Sequence, residues 1–449
     1  MATKDLMFIQ APIQTRSGYG AHARDIVRSL MKMDRWDIKI ASLRWGSCPM
    51  DALDENNPED KAMLDKILTG PNLPRQPEVH LEIRVPNEFC NPGPVGKFNI
   101  GITAGIETTM CSKDWIDGLN RCDLVIVPSE HSKTVFNNTK YQQVNNQTQQ
   151  VEGEVICQKP VEVLFEGADD NVYKKTDKIP EILNNTLNQI KEDFCFLYVG
   201  HWLKGDLGQD RKDTGMLVKT FLETFKNKQN APALIMKTSG AGFSIIDRDE
   251  IMKKIEGIKK TVQNVKIMPK IYFLHGDLTD EEMNGLYNHP KVKAHVSFTK
   301  GEGFGRPLLE ASISQKPVIA SGWSGHLDFL NKENALLLPG QLTNVHESSA
   351  WENVILTESK WFTVNYPVAS KVLSDMWLNY SKYERGAKKL GTLNAKKFSL
   401  DAMTTEFEKI LDKHLPQFPK QVEIKLPDLK KVTLPKKEVT NEATATTTV

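Results

Sequence analysis

The chain has 449 residues, 58 Lys+Arg against 57 Asp+Glu, and a formal net charge of +1. That length suits two or three domains of roughly 100–200 residues, each burying its own core. The charge balance excludes a global basic field for nucleic acid or membrane and the acidic excess of a disordered chain, so any partner is recognised at a local site.

In chain order, residues 6–10 read as a strand, a glycine turn follows, and residues 19–33 read as a helix. Residues 38–42, 79–85, 98–102 and 124–127 are further strands. Pro128 stops the last of these, a helix follows over 130–136, and a strand at 161–165 closes this half. The second half repeats the pattern, with strands at 194–199, 233–237, 271–274, 294–297, 317–320 and 335–338 and helices at 214–226, 249–262, 280–287 and 307–314. Short apolar strands alternating with amphipathic helices predict doubly wound parallel sheets. The expected plan is an N-terminal Rossmann-like domain over 1–175, a link near 174–191, a second such domain over 192–398, and a helix at 399–413 returning to the first. The Asn/Gln-rich residues 137–150 read as an exposed insertion, and residues 414–449, rich in Pro, Lys, Thr and Ala, as a disordered tail.

Residues 1–10 lack the basic segment and apolar core of a secretion signal, and no run approaches the roughly eighteen apolar residues of a membrane span. The six cysteines are scattered and never form Cys-x-x-Cys, which argues against structural zinc and a disulfide framework. These readings point to a reduced, cytoplasmic protein. Asp247-Arg248-Asp249 sits at a helix start, where capping explains it better than a divalent ion, so no metal is expected.

Parallel sheets bind ligands outside the carboxyl ends of their strands, so motifs that follow strands carry most weight. The richest is Ser297-Phe-Thr-Lys-Gly-Glu-Gly-Phe-Gly-Arg-Pro-Leu-Leu-Glu-Ala-Ser. Gly301, Gly303 and Gly305 allow close backbone approach, and Pro307 suits a helix first turn. The free N–H groups of that helix start favour an anion such as a diphosphate. Glu302 and Glu310 are placed to accept hydrogen bonds from sugar or ribose hydroxyls. A phosphate cradle flanked by two such carboxylates describes a nucleotide-sugar site.

Glu302 and Glu310, with seven residues between them, and their Glu-Gly-Phe-Gly…Leu-Glu-Ala context resemble the E-x7-E motif of the family 4 retaining glycosyltransferases (group 1). Lys316-Pro-Val-Ile-Ala-Ser, Val127-Pro-Ser-Glu-His-Ser, Glu166-Gly-Ala-Asp169 and Leu278-Thr-Asp-Glu-Glu are similar to other segments of that family. The resemblance implies the GT-B fold, α/β with two Rossmann-like domains facing across a cleft. It implies sugar transfer from a nucleotide-diphosphate sugar, UDP- or GDP-linked, to an acceptor hydroxyl with retained anomeric configuration and no metal or resident cofactor.

Lys212 matches the family's phosphate-binding lysine, while His201 stands where the family has arginine. Arg211 or Arg306 could supply the missing guanidinium. Within the resemblance, Gly18 and Gly20 of the first turn approach the donor, Gly276 and Leu278 embrace the base through backbone groups, and Gly303, Phe304 and Gly305 line the phosphate. Glu107 either orients the acceptor hydroxyl or caps the helix starting near Lys113. Glu302, Lys212 and Glu107 form the expected catalytic set. A nicotinamide-dependent oxidoreductase would need an acidic residue ending the second strand, where Ser42-Leu-Arg44 stands instead. The alternative is a non-catalytic protein of the same fold that binds a nucleotide sugar or glycan. The acceptor, whether a glycan, lipid-linked glycan, protein, small molecule or modified nucleic acid, is not legible.

Overall fold

The structure, a computed structural model, describes residues 4–70, 72–145, 147–240, 242 and 244–419. The tail expected from residue 414 lies, from residue 420, outside the described residues.

The first half runs β1 (Asp5–Ala11), α1 (Gly18–Met33), β2 (Trp36–Ser42), α2 (Pro58–Leu64), β3 (Val79–Ile83), β4 (Phe98–Ile102), α3 (Lys113–Arg121), β5 (Leu124–Val127), α4 (Glu130–Asn138), β6 (Tyr141–Val144), β7 (Val151–Val155) and β8 (Val161–Val163). The second half runs α5 (Glu181–Asn188), β9 (Cys195–His201), α6 (Thr214–Phe225), β10 (Ala233–Ser239), α7 (Ile245–Thr261), β11 (Ile271–Leu274), α8 (Asp280–Asn288), β12 (Val292–Ser297), α9 (Arg306–Ile313), β13 (Val318–Ser321), β14 (Leu336–Leu338), β15 (Gly340–Asn344), β16 (Lys360–Val364), α10 (Tyr366–Leu378), α11 (Ser381–Lys397) and α12 (Leu400–His414).

Two six-stranded parallel sheets result, with strand orders β2-β1-β3-β4-β5-β8 and β11-β10-β9-β12-β13-β14. The direction of winding reverses between β1 and β3 in the first sheet and between β9 and β12 in the second. Such reversals open a crevice at the carboxyl ends of the flanking strands. Apolar side chains line both faces of the second sheet: Leu197, Ile235 and Leu309 pack on one, and Phe196, Phe221 and Phe225 on the other. On α6, Leu217, Phe221 and Phe225 recur every fourth residue and are fully buried, each contributing roughly 1.5–3 kcal/mol of burial.

Local chemistry sets the helix starts. Ser17 caps α1 by accepting from the Gly20 amide, and Ser129 caps α4 by accepting from Ser132. α7 begins four residues before the expected position because Ser244 caps it, accepting from the Asp247 amide. Asp247 is therefore inside the first turn rather than the cap; its carboxylate takes the Gly240 amide and pairs with His275 at 2.8 Å.

Other differences from the sequence reading have physical causes. The strand expected over 79–85 ends at Ile83, since Pro86 begins a 3-10 turn. The exposed insertion folds as an antiparallel hairpin, Tyr141 opposite Val155. The link near 174–191 carries α5, which buries Leu183 and Leu187. A second hairpin, β15–β16, and the helices α10 and α11 follow β14. α12 lies against α1, with Ser29 hydrogen-bonded to Thr404 at 2.8 Å and Lys32 paired with Asp401. Among the described residues, no helix is long and apolar enough to cross a membrane.

Candidate functional site

β9 and β12 lie side by side, and the loops leaving their carboxyl ends meet. After β12, residues 298–305 lead into α9, where Gly305 adopts φ 98 and Pro307 occupies the first turn. After β9, the loop to α6 brings Arg211 and Lys212 alongside. Lys212 donates to Oε1 of Glu302, and the guanidinium of Arg211 lies 3.5 Å from the other carboxylate oxygen. Arg211 also donates to the Gly301 carbonyl at 3.2 Å and pairs with Glu107 at 3.3 Å. The three residues of the expected catalytic set thus form one cluster bridged by Arg211.

Burial would raise the Glu302 carboxyl, but Lys212 and Arg211 outweigh it and hold the group down at about 2. Lys212 is lowered by burial and by its neighbour Arg211, against the pull of Glu302. Two adjacent cations sharing one buried carboxylate explain both directions. His201 is lowered first by burial and then by Lys212 and Arg211, so its imidazole is neutral near pH 7. Its Nδ1 pairs with Ser239 at 3.2 Å. It brings a hydrogen-bonding group but no charge to the place of the family's arginine, and the guanidinium beside Lys212 is that of Arg211.

Arg306 faces away from this cluster. It pairs with Asp25 of α1 at 2.5 Å and with Glu310 at 2.9 Å, and Tyr287 donates to Glu310 at 3.1 Å. Glu166 is buried nearby. Burial pushes both Glu310 and Glu166 up to about 7, because one guanidinium serves three carboxyl groups. The same crowding raises Arg306 well above its ordinary value.

Two glycines of the β12–α9 loop also allow a close backbone approach within the chain. A Cβ on Gly301 would lie 1.9 Å from the Glu107 carbonyl, and one on Gly303 would lie 2.0 Å from the Ala104 carbonyl. Ser129 donates to the Gly303 carbonyl. The close approach at these two positions is therefore between the halves of the chain. The ring of Phe304 is buried in the second core, 5.0 Å from Phe329.

Gly18 has no neighbour within 4 Å of a Cβ, whereas a Cβ on Gly20 would meet the Thr15 carbonyl at 2.2 Å. Gly18 thus faces open space, and Gly20 is dictated by the turn. Gly276, at φ 109, accepts from Lys237 at 2.7 Å, and Leu278 packs on the second core. Ser112, not Glu107, caps α3. Trp323 is packed between Phe362 and His131.

Asp25 and Tyr287 were not singled out from sequence, and Glu166 was quoted only as part of the Glu166-Gly-Ala-Asp169 segment; in the structure Asp25 is buried on α1 beside His22 and Ser29. A surface cavity of about 580 Å³ beside α1, α2 and α12 lies away from the site.

No protein-family model and no curated protein matches the chain. Its fold is that of solved structures. HepE from Anabaena in complex with UDP-glucose superposes with a TM-score of 0.57 at 14% identity, over 91% of this chain and 100% of that one. Sucrose-phosphate synthase from Thermosynechococcus elongatus gives 0.58 at 12% identity, over 91% and 99%. A glycosyltransferase from Rickettsia africae gives 0.56 at 13% identity, over 92% and 99%. The architecture is GT-B, with two Rossmann-like parallel-sheet units.

Proposed function

We propose that the chain is a retaining glycosyltransferase that moves a sugar from a nucleotide-diphosphate sugar to an acceptor hydroxyl. The observation that carries this reading is the meeting of Glu302, Lys212 and Arg211 where β9 and β12 reverse the winding of the second sheet. Residues 192–398 would hold the donor and residues 1–175 the acceptor, with 399–413 returning to the first half. The UDP-glucose bound by HepE supports a UDP-linked donor, with GDP the other base to test.

Arriving diphosphate takes over Lys212 and Arg211, with the α9 N-terminus adding its free amides. That frees the Glu302 carboxylate for a hydroxyl of the donor sugar. Glu310 retains lone pairs for the ribose hydroxyls. Glu107, released from Arg211, orients the acceptor. Charge developing on the leaving diphosphate is met by cations already in place, the kind of stabilisation that supplies much of an enzyme's rate. Acceptor attack on the face the diphosphate leaves would retain configuration. Six free cysteines fit a reducing, cytoplasmic setting.

One observation favours the non-catalytic reading: His201 is neutral, and both cations are engaged by the chain's own carboxylates. Incubating the purified chain with UDP- and GDP-sugars separates the two. Release of nucleoside diphosphate and an α-linked product from an α-linked donor is expected. Donor binding without hydrolysis or transfer over a panel of glycan and small-molecule acceptors would favour the binder, and a β-linked product would overturn retention.

A further inference from the structure

A second polar cluster lies in the first half, apart from the cleft. His80 and Glu82 are two apart on β3 and so point to the same face. Cys90, just after the 3-10 turn at Pro86–Glu88, comes to that face. One ligand atom from each of the three lies within 4.8 Å of the others, and all three side chains are buried. The sulfur of Cys122 is within hydrogen-bonding reach of Cys90.

Each residue is disposed as a ligand. The ring Nε2 of His80 is 2.9 Å from Oε1 of Gln10, an atom that can only accept. Nε2 therefore carries the proton, and Nδ1 presents a lone pair. That Nδ1 is buried, His80 is only 1% exposed, and its side chain lies within hydrogen-bonding reach of the Cys90 thiol. Glu82 receives the Cys90 amide at 2.5 Å, yet the only cation paired with its buried carboxylate among the described residues is Arg84, at 3.8 Å. A buried imidazole served only by a weak thiol and a buried carboxylate with one distant cation are costly in an apolar core. A soft divalent cation would satisfy both.

We propose that His80, Glu82, Cys90 and Cys122 form a buried zinc site that ties residues 86–92 to β3. The donor set of nitrogen, oxygen and two sulfurs suits zinc. Tetrahedral zinc holds its ligands roughly 3.3–3.8 Å apart, a modest contraction for His80, Glu82 and Cys90, while Cys122 would be drawn in through its contact with Cys90. Gln10 acts as a positioning residue, fixing the ring and its tautomer from behind. Cys-x-x-Cys spacing could not reveal such a site, since its ligands come from a strand, a turn and the end of α3. Binding releases the thiol protons and stabilises the folded first half.

The test uses the full chain, reduced, stripped with a chelator and titrated with Co²⁺ as a spectroscopic stand-in. One equivalent should bind with a thiolate-to-cobalt charge-transfer band, and Zn²⁺ should abolish that band. The band should weaken by about half in Cys90→Ser, vanish when Cys90→Ser and Cys122→Ser are combined, and persist unchanged in Cys48→Ser. Gln10→Leu should keep the band at saturation but bind about 10–100-fold more weakly. Should Cys90→Ser fail to fold, Glu82→Gln preserves shape and should weaken Co²⁺ binding more than tenfold. Absence of the band in the reduced wild-type chain, or its survival at full intensity in folded Cys90→Ser, overturns the proposal. So does a Cys90–Cys122 disulfide in the isolated protein whose reduction restores no cobalt binding.

Discussion

Lys212 donates its hydrogen bond to the carboxylate of Glu302, so the cation expected to grip a diphosphate is held by an anion of its own chain. Arg211 is engaged in the same way, by Glu302 at 3.5 Å and Glu107 at 3.3 Å. On the proposed function, a donor would compete with these carboxylates for both cations, and the carboxylates would be released toward sugar and acceptor hydroxyls.

Exchange of partners predicts opposite effects on binding and turnover. In Glu302→Gln, nucleoside diphosphate no longer displaces a charged rival and should bind at least as tightly as to wild type. Transfer should fall by about 10²–10³, the usual cost of one preorganised polar group at a reacting centre. Lys212→Ala should lose a comparable factor in rate and weaken diphosphate binding as well. Calorimetry with UDP alongside kcat tests the split. Full transfer by Glu302→Gln would remove that residue from the reaction.

Glycines in the cleft should divide into two groups. Gly303→Ala places a Cβ 2.0 Å from the Ala104 carbonyl, a backbone atom that cannot turn aside. The halves must separate there, and activity should drop even where each half stays folded; small-angle scattering would show a larger radius. Gly18→Ala meets nothing within 4 Å and sits in the first turn of α1. Its stability should hold or rise by about 0.5–1 kcal/mol. A loss of donor affinity in this variant alone would assign Gly18 to the donor.

The alternation of strands and helices was legible because burial on both faces of a parallel sheet writes continuous apolar runs such as Leu124–Val127. Glu302, Lys212 and Glu107 were singled out through a family resemblance and their places in loops after strands, and the structure brings the three into one cluster. Asp25 was not, since its partner Arg306 lies 281 residues away and nothing local requires a carboxylate on that face of α1. The close approach of Gly301 and Gly303 to the other half of the chain was not legible for a related reason. Glycine marks a close approach without saying to what, and the approaching atoms come from the other half of the chain. The hairpin β6–β7 was hidden by its Asn- and Gln-rich composition, which carries no apolar alternation because both strands are largely exposed.

Arg306 should be a keystone of the closed form. It is the cation paired with Glu310, and it shares Asp25 with Arg28, which lies 3.1 Å from the other carboxylate oxygen. Removing one partner of a buried pair usually costs 3–5 kcal/mol, since the charge left behind has no compensation. Arg306→Met should therefore lose about that much stability at about pH 8. At about pH 5 the carboxyl groups can take up protons instead, and the loss should shrink. Urea unfolding of both proteins at the two pH values tests this, and an equal loss at both would mean that Arg306 matters through packing.

The same cluster sets a pH dependence whose sign is fixed by proton counting. Burial raises Glu310 and Glu166 from 4.5 to about 7, so between those values the folded chain holds a proton that the unfolded chain has released. Stability from this cluster is complete below about pH 4.5, falls as pH rises and levels off above about 7. The two groups repel each other and titrate as a unit, which limits the loss to on the order of 3 kcal/mol. Glu302, held at about 2, works the other way: its contribution is present above 4.5 and is lost as pH falls toward 2. Wild type should accordingly lose stability from about pH 5 to about pH 8, and Glu310→Gln should flatten that slope. Donor affinity should run opposite, because only the ionised Glu310 accepts from two ribose hydroxyls at full strength. UDP binding that tightens as pH rises through about 7 in wild type, and stays level in Glu310→Gln, would place the ribose there. A UDP affinity indifferent to pH in both proteins would confine Glu310 to holding Arg306.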